Sequence, residues 1–250
     1  MKIEHPSLTH IPALKALWQE AFGDSEAFID TFFQTGFAPE HCLCVTEGTD
    51  LAAAAYWFDC IYDAGKAAYI YAVATAKAYR GRGCCRALMD AIGQCLAEQG
   101  YVCAILVPGD DSLAGMYGAM GYRFFGGMTQ LQASAGEEAL ELTEVSVSQY
   151  ALLRRQMLPQ GSVVQEGKNL DFLRKHYRFY HGAEVLLVAS VTEQSLFAPE
   201  FLGDPALLGN ILTALQLPKG VFRMPGQEHF AMCRMLQSVS PPKYFAFAFD

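Results

Sequence analysis

The sequence predicts an α/β (α+β) protein, and two observations carry that prediction. Between Ala68 and Tyr122 an apolar run rich in β-branched and aromatic residues (AAYIYAVATA) leads into a basic, glycine-punctuated turn, a helical segment and a second apolar run (YVCAILV). Short apolar runs of this kind are buried strands, whereas the segment between them puts Ala87, Leu88, Ile92, Cys95 and Leu96 on one side of a helix. The second observation is that the latter half repeats the general order of elements without repeating their residues.

Taken in order, Lys2 to Leu8 reads as a first strand, and Thr9 as the cap of a helix with Ile11, Leu14, Leu17, Trp18 and Phe22 on one face. Gly23 stops that helix, and Asp24 or Ser25 starts another through Phe28, Ile29, Phe32 and Phe33. Cys42–Glu47 and Leu51–Tyr62 form a hairpin turned at Gly48, Thr49 and Asp50. The Ala68 strand, its turn and the helix ended by Gly100 follow, then the strand Tyr101–Val107, a short helix, and a further strand from Tyr122 to Ala133.

The polar, small-residue stretch Ala133–Leu142 is the expected domain boundary, giving domains at 1–135 and 140–250. Beyond it the pattern predicts helices at Val145–Met157 and Asn169–Tyr180, strands at Glu184–Val191 and Ser195–Leu202, and a helix at Pro205–Gln216. Three more strands are expected at Gly220–Met224, His229–Leu236 and Tyr244–Phe249.

Composition narrows the function. A length of 250 residues with 52% apolar content buries a large core. No apolar run reaches the roughly 18 residues of a membrane span, and the opening MKIEHPSLTH lacks the apolar core of a secretion signal. Cytoplasmic residence and no membrane partner are therefore expected. The net charge of −8 argues against nucleic acid and is neutral-to-favourable for a cationic amine acceptor. The eight cysteines contain no C-x-x-C pair and mostly fall in apolar patterns, as reduced core thiols do. The six histidines show no metal or triad spacing, so no metal is expected.

Against that acidic background Lys77, Arg80, Arg82 and Arg86 fall within ten residues, with no acid between Thr75 and Arg86. Gly81 and Gly83 remove Cβ atoms where a ligand must come close to the backbone. The following helix turns its unbonded N–H groups and positive dipole end to the same spot, so strand, turn and helix start make an anion site sized for phosphates. A Walker loop is absent, and Gly81-Arg82-Gly83-Cys84-Cys85-Arg86 lacks the third glycine of a dinucleotide fingerprint.

What remains is R-x-x-G-x-C, Arg80 to Cys85, behind a Val-Ala-Thr strand end, with Y-x-x-x-G-Y downstream as Tyr117 to Tyr122. This resembles the acyl-CoA loop and second signature of the GNAT superfamily of N-acetyltransferases. The resemblance implies the GNAT acyl-CoA N-acyltransferase fold, a mixed central sheet with flanking helices, and acetyl-CoA as co-substrate. The two halves resemble the tandem GNAT domains of the enhanced-intracellular-survival type of acetyltransferases. The first half would be the catalytic domain. The second would be a degenerate copy without a CoA loop, since only Gly203 and Asp204 precede its helix and Asp204 would fill the anion position.

By the same resemblance, the amides and side chains of Arg80, Gly81, Arg82, Gly83, Cys84, Cys85 and Arg86 hold the CoA diphosphate. Taken singly, each arginine is as readily a solvated loop residue. The strand end Val73, Ala74 and Thr75 splays at a bulge to meet the pantetheine arm and the acetyl oxygen, with Val73 also catalytic. Asp110 stands where many members carry Asn at a pantetheine contact, and Cys85 where the family has Gly or Ala. Tyr117 matches the family's tyrosine acid, with a packing aromatic as the plain alternative.

The implied function is transfer of acetyl to a small-molecule or peptide primary amine. Its rivals are an acyl-CoA-binding module without turnover and an enzyme using another acyl group. Asp24, Glu47, Asp59, Asp63 and the terminal Asp250 are the acids available as a base. Cys84 and Cys85, at a helix start beside arginines, are expected to have depressed pKa values.

Overall fold

A computed structural model describes residues 1–245, 247 and 248. The chain divides into two compact units, residues 1–123 with 232–241, and residues 124–231 with 242–250. In chain order the first unit contains β1 (Lys2–Glu4), α1 (Ile11–Phe22), α2 (Glu26–Thr35), β2 (Cys42–Glu47), β3 (Asp50–Tyr62), β4 (Gly65–Thr75), α3 (Cys84–Glu98), β5 (Cys103–Leu106) and α4 (Asp111–Gly118). The short β6 (Arg123–Phe125) follows. Then come β7 (Met128–Ser134), β8 (Thr143–Glu144), α5 (Val147–Met157), β9 (Val164–Gln165), α6 (Lys168–Leu173), β10 (Arg178–His181), β11 (Leu186–Val191), β12 (Leu196–Leu202), α7 (Leu208–Ala214) and β13 (Lys219–Pro225). Last is β14 (Ala231–Met235).

The first unit's strands run β1-β2-β3-β4-β5-β14, all neighbours antiparallel except the parallel β4–β5 pair. That parallel pair follows from sequence, because β4 reaches β5 only by the α3 crossover. Helix α3 covers one face: Leu88, Met89, Ile92 and Leu96 pack with Trp57, Ala68, Ile70, Ala104 and Tyr122. Each such fully buried side chain contributes roughly 1.5–3 kcal/mol. The other face is aromatic. Trp18 of α1 sits 4.8 Å from Phe32, 5.5 Å from Tyr56 and 5.5 Å from Tyr71, centroid to centroid.

The second unit orders its strands β7-β13-β12-β11-β10-β8, with one parallel pair, β12–β13. Leu208, Ile211 and Leu212 of α7 pack against Leu187, Phe201 and Phe222 on one face, and Tyr150, Leu170 and Leu173 against Phe179, Leu186 and Val188 on the other.

Several expectations are corrected. The first strand ends at Glu4, and Pro6 and Ser7 lead into a 3-10 turn at Leu8–His10. Thr9 is therefore inside that turn rather than a cap, its hydroxyl bonded to Ser7 at 2.7 Å. Of Asp24 and Ser25, Ser25 caps α2, accepting the Phe28 amide at 3.2 Å. The single strand expected over Tyr122–Ala133 is two strands, β6 and β7. Gly126 (φ +52) breaks it where a Cβ would stand 1.8 Å from the Lys243 carbonyl oxygen. The helix expected over Asn169–Tyr180 stops at Leu173, and its aromatic end becomes β10, paired with β11 and β8. Ladder bonds and burial of Phe179 outweigh helical propensity there.

The chain passes between units at Arg123/Phe124, ahead of the polar stretch at Ala133–Leu142. β7 then pairs along its whole length with β13, so the expected boundary falls after a strand of the second unit. The strand expected at His229–Leu236 forms as Ala231–Met235, but it joins the first unit's sheet, antiparallel to β5. Of the expected strand Tyr244–Phe249, Tyr244 makes an isolated bridge to Ser162. Ala246 and Phe249 lie outside the described residues.

The second unit buries one ion pair completely. Arg154 of α5 donates to both carboxylate oxygens of Glu200 on β12, Nε at 2.6 Å and Nη2 at 2.9 Å, and the Tyr150 hydroxyl adds a bond at 2.8 Å. Removing one partner of such a pair strands an uncompensated charge. Glu200→Ala is therefore expected to lower the unfolding free energy by about 3–5 kcal/mol, measured by urea denaturation followed by circular dichroism.

Candidate active site

The site begins with a register shift. Tyr56 of β3 pairs with Tyr71 of β4, but Ala54 pairs with Ala74, so two residues of β4, Ala72 and Val73, oppose the single Ala55 of β3. The extra residue lies in Ala72–Val73, and Ala72 takes φ +49, a left-handed conformation seldom adopted by a residue with a Cβ. On its other side β4 loses its partner. The parallel β4–β5 ladder stops at Tyr69 and Ile105, while β4 continues to Thr75. Val73, Ala74 and Thr75 thus edge a gap between two diverging strands, with Val73 and Thr75 half-buried.

The turn follows directly. Gly83 is the N-cap of α3 (φ +81), and Gly81 has φ +73. A Cβ at either glycine would meet no atom within 4 Å, so packing does not demand glycine there; backbone conformation does, and the space above is open. No side chain caps α3 and no acid sits in its first turn. Among the described residues, the amides from Gly81 to Arg86 donate to nothing. An anion is the natural acceptor for such a set.

The cations rim this turn, all exposed. Arg80 Nε donates to the Thr75 carbonyl at 3.1 Å, tying the turn to the strand end. The Arg82 guanidinium lies 5.2 Å over the Tyr79 ring, whose hydroxyl is bonded to Asp50 at 2.8 Å. Arg86 Nη1 reaches the Ala119 carbonyl at 3.4 Å, linking α3 to the end of α4. The Lys77 amide donates to Glu20 at 2.6 Å, which fixes the start of the turn to α1. The residues present fit a CoA diphosphate: an open cradle of free amides, relieved of Cβ atoms and ringed by positive charge.

Tyr117, in the last turn of α4, is 6% exposed, and burial pushes its phenol well above the usual range, with the Cys85 thiol nearby adding to the effect. Its ring meets Tyr122 edge-on at 5.8 Å, and its hydroxyl bonds to nothing among the described residues. Asp110 uses its carboxylate locally, accepting the Leu113 amide at 2.8 Å as the N-cap of α4. The thiol expectation is corrected for Cys85: burial outweighs Arg86 and raises its pKa.

The acids separate cleanly. Asp59 points away from the gap, taking the Tyr101 hydroxyl and lying 3.6 Å from Lys66 and 3.7 Å from His41, on a stretch of β3 paired with Ala68. Asp63 sits in the β3–β4 turn, at the opposite end of β4 from the bulge, and Glu47 ends β2, paired with Asp50. Asp24 accepts from Trp18 Nε1 at 2.7 Å, and Trp18 packs on Tyr71, next to the bulge. Asp250 is outside the described residues. Sequence reasoning missed Ala72, whose alanine gives no sign of a positive φ, and Glu20, which carries no motif.

This bulge, parted strand pair and uncapped cationic helix start define an acyltransferase of the GNAT fold. Residues 2–125 match the acetyltransferase (GNAT) domain family. The fold of the whole chain is similar to that of a GCN5-related N-acetyltransferase from Anabaena variabilis, at 16% identity and TM-score 0.73, over 94% of this chain and 73% of that one. A GCN5-related N-acetyltransferase from Kribbella flavida is similar at 15% identity and TM-score 0.70, over 94% and 70% of the two chains. Eis1 from Mycobacterium abscessus is similar at 11% identity and TM-score 0.68, over 94% and 74%. Among curated proteins none matches the sequence.

The backbone at Ala72 is directly testable. Ala72→Gly is expected to change stability by less than about 1 kcal/mol, relief of strain offsetting unfolded-state entropy. Ala72→Val, β-branched at positive φ, should destabilise by roughly 2 kcal/mol or more. Thermal melts of the two variants check both signs.

Proposed function

We propose that this chain is an N-acetyltransferase that moves acetyl directly from acetyl-CoA to a primary amine. The observation that carries the reading is the cluster of undonated amides at Gly81–Arg86, set beside the gap that opens between β4 and β5. Acetyl-CoA supplies the activated thioester. The amides from Arg80 to Arg86, including Cys84 and Cys85, grip its diphosphate, and the Arg82 side chain on its Tyr79 platform adds charge. The strand end Val73, Ala74 and Thr75 aligns the pantetheine arm, and Asp110 orients the start of α4 against it. The Val73 amide meets the acetyl oxygen, where a donor aimed at developing negative charge lowers the barrier by roughly 3–4 kcal/mol.

Tyr117 donates the proton that the leaving thiolate takes up. Its raised pKa keeps the phenol protonated at every working pH, and its hydroxyl has no competing partner among the described residues. The second unit is read as a degenerate GNAT-like domain. At the corresponding helix start the Asp204 carboxylate accepts the Ala206 amide at 2.9 Å, where a diphosphate would be repelled. A cytoplasmic location, and an acceptor that is a small molecule or peptide amine, complete the reading. No helix among the described residues is long and apolar enough to cross a membrane.

The deciding experiment is thiol release from acetyl-, propionyl- and succinyl-CoA across an amine library, alongside calorimetry of CoA. Release with an amine supports the enzyme, and binding without release makes the chain an acyl-CoA-binding module. Tyr117→Phe should lower kcat by about 10–100-fold while changing the CoA Kd little; an unchanged kcat removes the assigned role.

The pH profile carries a sign. Rate should rise as the amine loses its proton. It should not fall again below about pH 10, because burial lifts Tyr117 above its ordinary value and delays its ionisation.

A further inference from the structure

Arg234 lies far from every motif, on β14, in the strand that returns from the C-terminal end to pair Arg234 with Ala104 of β5. Its guanidinium lies over Gly93, in the middle of α3. A Cβ there would touch Nη1 at 3.4 Å and Cζ at 3.5 Å. Nη1 also donates to Asp90 of α3 at 3.1 Å. The stem of the same side chain runs past Gly121, where a Cβ would stand 3.9 Å from Cδ and Nε. Gly121 (φ +90) belongs to the tight turn that follows Tyr117, in which the Tyr122 amide bonds back to the Tyr117 carbonyl at 3.1 Å.

Glycine in a helix interior is unfavourable, and a side chain laid flat against Gly93 is a physical reason for its presence. One side chain thus touches both halves of the site: the helix whose start offers the free amides, and the turn that carries the tyrosine. Two further arginines hold the same turn, Arg86 through the Ala119 carbonyl and Arg123 through the Gly118 carbonyl at 2.7 Å. Arg123 comes from neighbouring sequence and Arg86 from α3; Arg234 comes from the far strand β14.

We propose that Arg234 is a positioning residue that sets the distance between α3 and the Tyr117 turn, so that the first unit's site is completed by a residue from the C-terminal strand. The proposal rests on the reading of Tyr117 as the acid. Arg234 touches no reacting atom; it acts by fixing Gly93 and Gly121 against one another.

The test compares full-length Arg234→Met, which keeps most of the stem and removes the guanidinium, with Arg234→Lys and wild type. Arg234→Met should lower kcat about tenfold or more with the CoA Kd changed less than about threefold, and Arg234→Lys should recover part of the loss. Amide hydrogen exchange should quicken in residues 111–122 and stay as in wild type in α1 and α2. Unchanged exchange in residues 111–122 overturns the proposal whether or not an acceptor has been found. Faster exchange throughout the chain with no recovery by lysine overturns it too, leaving only a fold-stabilising role. Failure of the wild type to release thiol with any amine overturns the functional reading instead, and exchange alone then decides the placement of the turn.

Discussion

Everything at the site follows from one mismatch of length: two residues of β4 set against one of β3. A continuous ladder would carry β4 straight alongside its neighbours and satisfy its backbone groups on both edges. The additional residue, with Ala72 forced to positive φ, turns the strand end away and leaves Val73 to Thr75 lining an opening. Strain of this kind persists only where surrounding structure over-determines it. Here the surroundings are Tyr71 packed on Trp18 on one side and the tie from Arg80 back to Thr75 on the other.

Electrostatics then acts on a shape already prepared. An acidic chain concentrates positive side chains around one turn, and the turn's amides are left without partners by an uncapped helix. Each contribution alone is small, on the order of 0.3–2 kcal/mol. The arginines are not idle in the meantime. Arg80, Arg82 and Arg86 each hold a protein group, which keeps the rim in place before any ligand arrives.

Much of this was legible in the residues, and the boundary of legibility has a physical cause. The α3 crossover, the glycine turn and the capping of the second unit's helix by Asp204 are local: spacing and residue type suffice. What the residues did not reveal depends on partners distant in sequence. Gly126 lies inside a stretch that reads as one continuous strand in sequence, and the Lys243 carbonyl that leaves no room for a Cβ there is more than a hundred residues away. Arg178–Tyr180 reads as the end of a helix by its neighbours and becomes strand because β11 offers it a ladder. The thiol of Cys85 follows its burial, which sequence position at a helix start does not reveal. Tyr117 lies between these cases, since its place in a motif was visible but the freedom of its hydroxyl was not.

The placement of β14 has a consequence for how the molecule is made. β5 is bordered on one side by β4 and on the other by β14, a strand that leaves the ribosome only after the whole second unit's sheet has been synthesised. Until then its outer edge has open N–H and C=O groups, a template for any extended segment nearby. The first unit is therefore completed after the second unit's strands have been made, and a synthesis pause before residues 231–235 would leave the earlier sheet with an open border.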